Sequence, residues 1–312
     1  MPAPGEGSIG CKLIAGKLYQ TISSAYPLKI ISPKAVANSP IPNDGDSSQQ
    51  QQKPLEPAVG YILSYGGGIV HGDQINVRAQ VGSGCALILL TQGSTKVYRH
   101  RANRPPSYLK NPANDAKLDV EQSYQTVEIS VEPNGFICLL PDPVTCFKDA
   151  LYNQRQIVCL ADASSSVVLL DWMTSGRMSR GERWEFAKYF SVNVVELGGK
   201  IIVRDALLLE KEGLVRLADV DAFAFLLVLG PAGKGVAGEF MKEQQEMRIR
   251  PFRKRESIVW SVSEVDEFGV AGVAVRVAGP TTEDVREWIK CRLALLQNVV
   301  GDSAWSMYFN SS

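Results

Sequence analysis

Histidine is scarce in this chain of 312 residues, which contains only two. His71 and His100 form no His-x-x-x-His pair, and the chain has neither a Cys-x-x-Cys motif nor a Gly-x-Ser-x-Gly nucleophile elbow. These absences argue against a closed zinc site and against the common catalytic constellations. A hydrolase built on this sequence would have to rely on carboxylates.

Net charge and long apolar runs are also lacking. The 33 Lys and Arg residues balance the 33 Asp and Glu residues, so no global field attracts nucleic acid or an anionic membrane. No apolar run approaches the roughly 18 residues needed to span a bilayer, and the first ten residues do not have the pattern of a secretory signal. We therefore predict a cytoplasmic protein with reduced, buried thiols at Cys11, Cys85, Cys138, Cys146, Cys159 and Cys291.

The glycine-rich segments do not predict a nucleotide site. Residues 230–235 have some similarity to a Walker A loop, but that motif needs glycine at Val228 and a hydroxyl residue at Gly235. The triple glycine at 66–68 precedes an alternating, strand-like segment, whereas a phosphate cradle would open a helix. We interpret the triple glycine as a turn between strands.

Residues 61–99 contain the most regular pattern of the chain, with three strand-like runs separated by glycines. In residues 75–81, apolar and polar side chains alternate, which predicts a strand with one buried face. Residues 85–90 are continuously apolar, which indicates a strand buried on both faces, as in the middle layer of stacked sheets. Residues 94–100 complete the set, and the pattern predicts a mainly β protein.

Further period-two runs predict more strands and two turns. The Pro-Asn-Gly turn at 133–135 and the Gly-Gly turn at 198–199 are typical of β-hairpins. The predicted strands lie at 117–132, 136–140, 156–160, 166–171, 189–197 and 200–209.

Loops and helices fill the remaining segments. Residues 38–57 are proline-rich and polar and predict a disordered insertion, and residues 102–115 predict a polar loop. We predict helices at 147–152, 212–220 and 236–250. A long C-terminal helix begins with a Thr281–Asp284 capping pair, and its apolar stripe consists of Val285, Trp288, Ile289, Leu293, Leu296 and Val300.

Several motifs resemble the urease accessory protein family UreD, called UreH in some species. The runs SYGGGIVHGDQ and LTQGSTKVYR carry the resemblance most clearly. Further matching segments lie at 26–29, 140–145, 170–177, 180–184 and 275–279. Together with the two runs they occur in the order expected for the family and span nearly the whole chain. The insertion at 38–57 departs from the shorter bacterial pattern and suggests a eukaryotic-type member.

The resemblance implies a fold and a role. The family fold is a β-helix-like stack of sheets with a few helices, including a C-terminal helix, and we expect residues 1–312 to form one such domain. Family members are scaffolds and not enzymes. They bind apo-urease and UreF, which recruits UreG, and they assist nickel insertion. We expect no tightly bound cofactor, only transient Ni²⁺, and neither a nucleic-acid nor a membrane partner.

Four acidic residues inside the family-matching motifs are candidates for lining an internal nickel passage. They are Asp73, Asp142, Asp171 and Glu182, and oxygen ligands suit an ion that must be released. The alternative is that each one caps a turn or pairs with an arginine. His71 lies at a position that varies in the family, so we assign it no metal role.

Partner binding is assigned to the helices, because a stack of sheets offers few grooves while a helix face presents anchors at regular spacing. Lys242, Arg248 and Trp288 are the candidate UreF-binding residues. Lys96 and His100, on one strand face, could contact a partner, and a solvated sheet face is the equal alternative.

Two other functions stay open at this point. One is a β-rich interaction module with no metal role. The other is a hydrolase that uses Asp171 and Glu182 as paired carboxylates, although Arg177, Arg180 and Arg183 lie beside them and favour structural ion pairs.

Overall fold

The computed structural model describes residues 1–33, 57–100, 122–210, 219–249 and 257–309. The predicted loop at 102–115 lies outside these ranges, and so does the predicted insertion at 38–57 apart from Pro57. The predicted helix at 212–220 also falls outside, except for its last two residues, which are not helical.

The described residues form seventeen strands. In chain order they are β1 (Glu6–Ile14), β2 (Lys17–Ser24), β3 (Leu28–Ile31), β4 (Ala58–Ser64), β5 (Gln74–Val81), β6 (Ala86–Thr91), β7 (Thr95–Val97), β8 (Ser123–Val131), β9 (Phe136–Leu140), β10 (Val144–Cys146), β11 (Leu151–Leu160), β12 (Ser166–Thr174), β13 (Lys188–Leu197), β14 (Lys200–Glu210), β15 (Ala222–Leu229), β16 (Val259–Glu267) and β17 (Val270–Gly279).

These strands build two stacked sheets. The first sheet has the order β14-β13-β11-β8-β5-β1-β2, and the second has the order β16-β17-β15-β12-β9-β6-β4-β3, with β10 joining β7 to β12. From β4 to β13 the longer strands alternate between the sheets and pair in parallel with the strands of the neighbouring coils. The prediction of a β-helix-like stack with a few helices is confirmed.

The alternation of side chains explains why the layers separate. Ile75, Val77, Ala79 and Val81 in β5 point into the core between the sheets, as the sequence predicted. In β6, Leu87 and Leu89 face that same core, while Ala86, Ile88 and Leu90 pack on the opposite side, toward the helices. The prediction that residues 85–90 are buried on both faces is confirmed, because β6 lies between two cores.

The helices cover the outer face of the second sheet. They are α1 (Lys234–Ile249), α2 (Thr282–Leu293), α3 (Gln297–Val300) and α4 (Asp302–Phe309). Thr281 caps α2, since its Oγ1 accepts a hydrogen bond of 3.0 Å from the backbone N–H of Asp284. The predicted apolar stripe is buried throughout, but the single long helix is interrupted by a 3₁₀ turn at Ala294–Leu296 and by Gly301, whose φ is 79°.

Two local predictions are wrong, and the reason is the pairing between coils. Residues 147–152 form a turn and the start of β11, because Asp149 has a φ of 60° and Tyr152 pairs with neighbouring strands on both sides. The turn at 133–135 leads from β8 in the first sheet to β9 in the second and is therefore not a hairpin. The predicted hairpin at 198–199 joins β13 to β14 and is confirmed.

All six cysteines are free thiols in the structure. Four are buried as predicted, whereas Cys159 is half-buried and Cys291 is exposed on α2. Among the residues that the structure describes, no helix is long and apolar enough to cross a membrane.

Candidate functional site

A polar layer interrupts the apolar core between the two sheets. It consists of Asp171 from β12, Gln154 and Gln156 from β11, and Ser191 and Asn193 from β13, and every one of these residues is buried. Residues 167, 169, 171 and 173 of β12 all point toward the first sheet, so Asp171 takes a position where its neighbours are Leu169 and Met173. The strand period therefore places a carboxylate inside the protein.

The carboxylate of Asp171 accepts four hydrogen bonds. Oδ1 accepts from Gln154 Nε2 at 2.9 Å and from the Tyr189 hydroxyl at 3.2 Å. Oδ2 accepts from Ser191 Oγ at 2.6 Å and from Asn193 Nδ2 at 2.8 Å. All four donors are neutral, and no lysine or arginine of the described ranges forms an ion pair with Asp171.

Burial raises the pKa of Asp171 above its usual value, and the four hydrogen bonds limit that rise because they stabilise the ionised form. A carboxylate that is desolvated and faces no positive side chain would interact favourably with a cation that reached it. The layer also holds two buried side-chain oxygens without a hydrogen-bond partner among the described residues, Gln156 Oε1 and Asn193 Oδ1.

A small cavity lies beside the polar layer. Its volume is about 20 Å³, enough for one water-sized species, and Gln154, Gln156, Asp171 and Asp142 all line it. Asp142 also lines a much larger open groove of about 880 Å³. Asp142 therefore belongs to the lining of both the groove and the small cavity.

Asp142 is held in place from three directions. Its Oδ2 accepts a hydrogen bond of 2.9 Å from the backbone N–H of Gly93, and its Oδ1 lies 3.0 Å from Arg286 Nη2. Its own backbone N–H donates to Thr91 Oγ1 at 2.7 Å. The Asp142 and Arg286 side chains are only 17% and 16% exposed, so the ion pair is partly shielded from solvent and fixes α2 to the second sheet.

Oxygen atoms dominate the polar lining of the groove. Two further carboxylates border it, Asp221 and Glu283, and so do the hydroxyls of Thr91, Thr145 and Thr174. Asp221 forms an ion pair of 2.6 Å with Arg183. We define the groove by these residues together with Asp142 and Arg286. Among the described residues that line it there is no cysteine or histidine, so apart from the thioether of Met178 its potential ligands are hard oxygen atoms.

The other two acidic candidates lie elsewhere. Asp73 caps a turn, because its Oδ2 accepts a hydrogen bond of 2.8 Å from the Val70 N–H. Glu182 forms a two-point ion pair with Arg177, which lowers the pKa of Glu182, and the Arg177 guanidinium stacks 3.8 Å from the centre of the Phe147 ring. Neither Asp73 nor Glu182 lines the small cavity or the groove.

The structure therefore brings together two of the four acidic candidates, Asp142 and Asp171. Neither space unites Asp171 with Glu182, so the geometry lends no support to a hydrolase that uses this pair. The assignment of all four to a nickel passage stays a prediction.

The three candidates for partner binding differ in exposure. The side chain of Lys242 on α1 is 66% exposed, and its Nζ lies 4.0 Å from Glu239 Oε2. Arg248 is exposed in the last turn of α1. Trp288 is only 8% exposed and packs 5.9 Å from Phe240 between ring centres. Its side chain joins α2 to α1, while the two cations face solvent.

Sequence reasoning missed the partners of the acidic residues. Ser191 and Asn193 sit in a strand whose outward positions are Phe190 and Val192, so polar and apolar side chains are reversed relative to an ordinary half-buried strand. Arg286 lies one turn away from Thr282 in α2, and nothing in its local pattern distinguishes it from other helical arginines. For the partners of Asp171, the reversed alternation in β13 was the sequence feature that could have indicated buried polar side chains.

Comparison with known proteins gives consistent matches over most of the chain. The family described as UreD urease accessory protein matches residues 17–308. Urease accessory protein 4 of Cryptococcus neoformans var. grubii is 32% identical over 96% of this chain and 94% of that protein. Urease accessory protein D of Oryza sativa subsp. japonica is 30% identical over 96% and 94%, and urease accessory protein UreD of Sorangium cellulosum is 33% identical over 97% and 83%.

Proposed function

The chain belongs to the UreD family of urease accessory proteins, and from this premise we propose that it is a scaffold in urease maturation. In this role it binds apo-urease and UreF, is connected to UreG through UreF, and assists the insertion of nickel into the urease active site. It is an accessory protein and not itself the catalytic enzyme. We expect it to act in the cytoplasm.

The observation that supports a nickel role is that Asp142 lines both the open groove and the small cavity, and that Asp171 lines this cavity too. Carboxylate, amide and hydroxyl oxygens hold Ni²⁺ less firmly than a set of imidazole and thiolate ligands, because nickel prefers softer nitrogen and sulfur donors. An oxygen-lined route would therefore let the ion move onward.

Each residue has a distinct part in this proposal. Asp142 would bind the ion at the groove, and its ion pair with Arg286 would have to break for the carboxylate to coordinate the metal. Asp171 would attract the ion inward, since it is a buried carboxylate with neutral partners only. Asp73 and Glu182 keep a turn and a loop in shape, so their contribution would be indirect.

The first experiment measures nickel in urease purified from cells that lack this chain but still make the urease polypeptide. Nickel-free, inactive urease that is restored by returning the gene supports the maturation role. Nickel-loaded, active urease would contradict it and would favour an interaction module without a metal role.

Alanine variants of the four acidic residues then test the route. The nickel content of matured urease should fall for Asp142→Ala and Asp171→Ala when protein level and partner co-purification are unchanged. Glu128→Ala is the matched control, because Glu128 is a carboxylate on the outer face of the first sheet, 52% exposed beside Arg78. Normal nickel in all four variants, Asp73→Ala and Glu182→Ala included, would rule the route out.

Partner binding through the helices is tested by charge reversal. Lys242→Glu and Arg248→Glu on α1 should weaken co-purification with UreF, because both side chains are exposed. Lys12→Glu, an exposed lysine on β1 of the other sheet, is the control. Unchanged binding in both α1 variants would move the interface to the sheet edges. Trp288 is unsuited to this test, since its replacement would disturb the packing of α2 on α1.

A further inference from the structure

The two histidines of this chain lie side by side, although 29 residues separate them in sequence. Their Nδ1 atoms are 3.0 Å apart, and the ring centres are 4.2 Å apart with the planes at 89°. His71 is only 6% exposed, whereas His100 is half-buried. The pair is therefore held by the protein on one side and reachable from solvent on the other.

The fold fixes this pair through a short parallel bridge between Ile69 and Val97. The Ile69 N–H donates to the Lys96 carbonyl at 2.7 Å, and the Tyr98 N–H donates to the Ile69 carbonyl at 2.9 Å. Gly68 makes the approach possible, because a Cβ there would collide with the Lys96 carbonyl oxygen. The glycine-rich turn thus brings the segment of His71 against the segment of His100.

Neighbouring contacts hold both histidine segments in position. Asp73 caps the turn that contains His71 by accepting a hydrogen bond from the Val70 N–H. The His100 N–H donates to the Asp149 carbonyl at 3.2 Å. Both backbones are therefore anchored independently of the imidazole contact, and a ligand could bind between the rings without unfolding either segment.

The separation of the two nitrogens matches a particular metal geometry. Nitrogens bound at a right angle to an ion about 2.1 Å away lie about 3.0 Å apart, whereas tetrahedral ligands at that distance lie about 3.4 Å apart. We propose that His71 and His100 form a two-imidazole site for a divalent transition-metal ion with right-angled coordination, of the Ni²⁺ or Cu²⁺ class. The Nδ1 atom of each ring is the ligand.

Such a site would exchange its metal readily. No group of three or more His, Cys, Asp or Glu side chains within the described ranges is arranged to enclose a metal ion, so the two imidazoles are the ligands that these ranges supply. The site is also distinct from Asp142 and Asp171, which line other spaces. It can be tested on the isolated chain without urease, so its failure would leave the maturation role untouched, and the reverse also holds.

The test uses the purified full-length chain without a histidine tag and with Ni²⁺ alone as the probe. Since the chain contains only two histidines, selective ¹⁵N-histidine labelling gives side-chain NMR signals from this pair and from nothing else. Paramagnetic Ni²⁺ should broaden the signals of both rings at the same concentration. Calorimetry should show that the affinity for Ni²⁺ falls at least about tenfold in His71→Gln and in His100→Gln. Removing a residue that only supports a metal ligand lowers metal affinity by about tenfold or more, and removing the ligand itself should lower it at least as much.

Cys291→Ser is the matched control, because Cys291 is an exposed potential ligand on α2, and it should bind Ni²⁺ like the unmodified chain. His100→Gln keeps the test valid if the buried His71 variant folds poorly. Histidine signals that stay sharp at saturating Ni²⁺, or both glutamine variants retaining full affinity, would overturn the proposal and leave the pair as an N–H···N hydrogen bond.

Discussion

Replacing Asp171 by alanine should destabilise the protein by about 3 kcal/mol. The Tyr189 hydroxyl, Ser191 Oγ and Asn193 Nδ2 each donate a hydrogen bond to this carboxylate. The Tyr189 and Ser191 hydroxyls also lie within hydrogen-bonding reach of each other, and Gln154 keeps a second bond, of 3.3 Å, to Ser191 Oγ. Three buried donors that lose this acceptor, at roughly 1 kcal/mol each, give the magnitude. Removing a desolvated charge offsets part of the cost.

Urea unfolding followed by tryptophan fluorescence is the appropriate assay. With a slope of about 2 to 3 kcal/mol per molar urea, a loss of 3 kcal/mol lowers the midpoint by about 1 to 1.5 M. Ser191→Ala is the matched variant, because it removes one donor and leaves three hydrogen bonds to Asp171, and it should cost about 1 kcal/mol.

If Asp171→Ala lowered the free energy of unfolding by less than about 1 kcal/mol, the reasoning would be refuted, because three buried donors left without an acceptor should destabilise the protein by more than that. It would mean that the three donors find other partners and that the polar layer adapts to the loss of its centre. The result also decides how the nickel experiments are interpreted, since a strongly destabilised variant has to be compared at equal protein level.

Three more outcomes follow from the geometry. Burial raises the pKa of Asp171, so the stabilising contribution of its protonated form is present below the unfolded pKa of about 3.9 and is lost as the pH rises through the folded pKa. The free energy of unfolding relative to Asp171→Asn should therefore fall as the pH rises above about 4. Gly68→Ala should destabilise the protein by about 1 to 3 kcal/mol and so lower its melting temperature, because the Cβ of the alanine would collide with the Lys96 carbonyl oxygen. Arg286→Met should cost about 1 to 3 kcal/mol in urea unfolding by leaving Asp142 without its ion pair.

Each of these three has a contradicting result. If the difference in the free energy of unfolding between the unmodified chain and Asp171→Asn stayed constant as the pH rose above about 4, burial would not raise the pKa of Asp171. An unchanged melting temperature in Gly68→Ala would mean that the bridge relaxes without cost. If Arg286→Lys were no more stable than Arg286→Met, charge pairing with Asp142 would not contribute.

Local sequence patterns determined most of the secondary structure. The alternation in residues 75–81 and the continuous apolar run in residues 85–90 gave the correct burial of β5 and β6, because strand period two directly separates the faces. The Thr281 cap and the apolar stripe of α2 could also be predicted from local sequence, since helix capping and helical spacing depend on residues within a turn or two. The motifs also identified the family.

The partners across layers were decided only by the tertiary structure. The turn at 133–135 has a hairpin sequence yet joins different sheets, because parallel pairing between coils outweighs the local turn preference. Asp171 meets Ser191 and Asn193 only when β12 and β13 face each other, and His71 meets His100 only through the bridge at Ile69. A sequence pattern specifies which side chains are buried, but the register between distant segments selects what each buried group contacts.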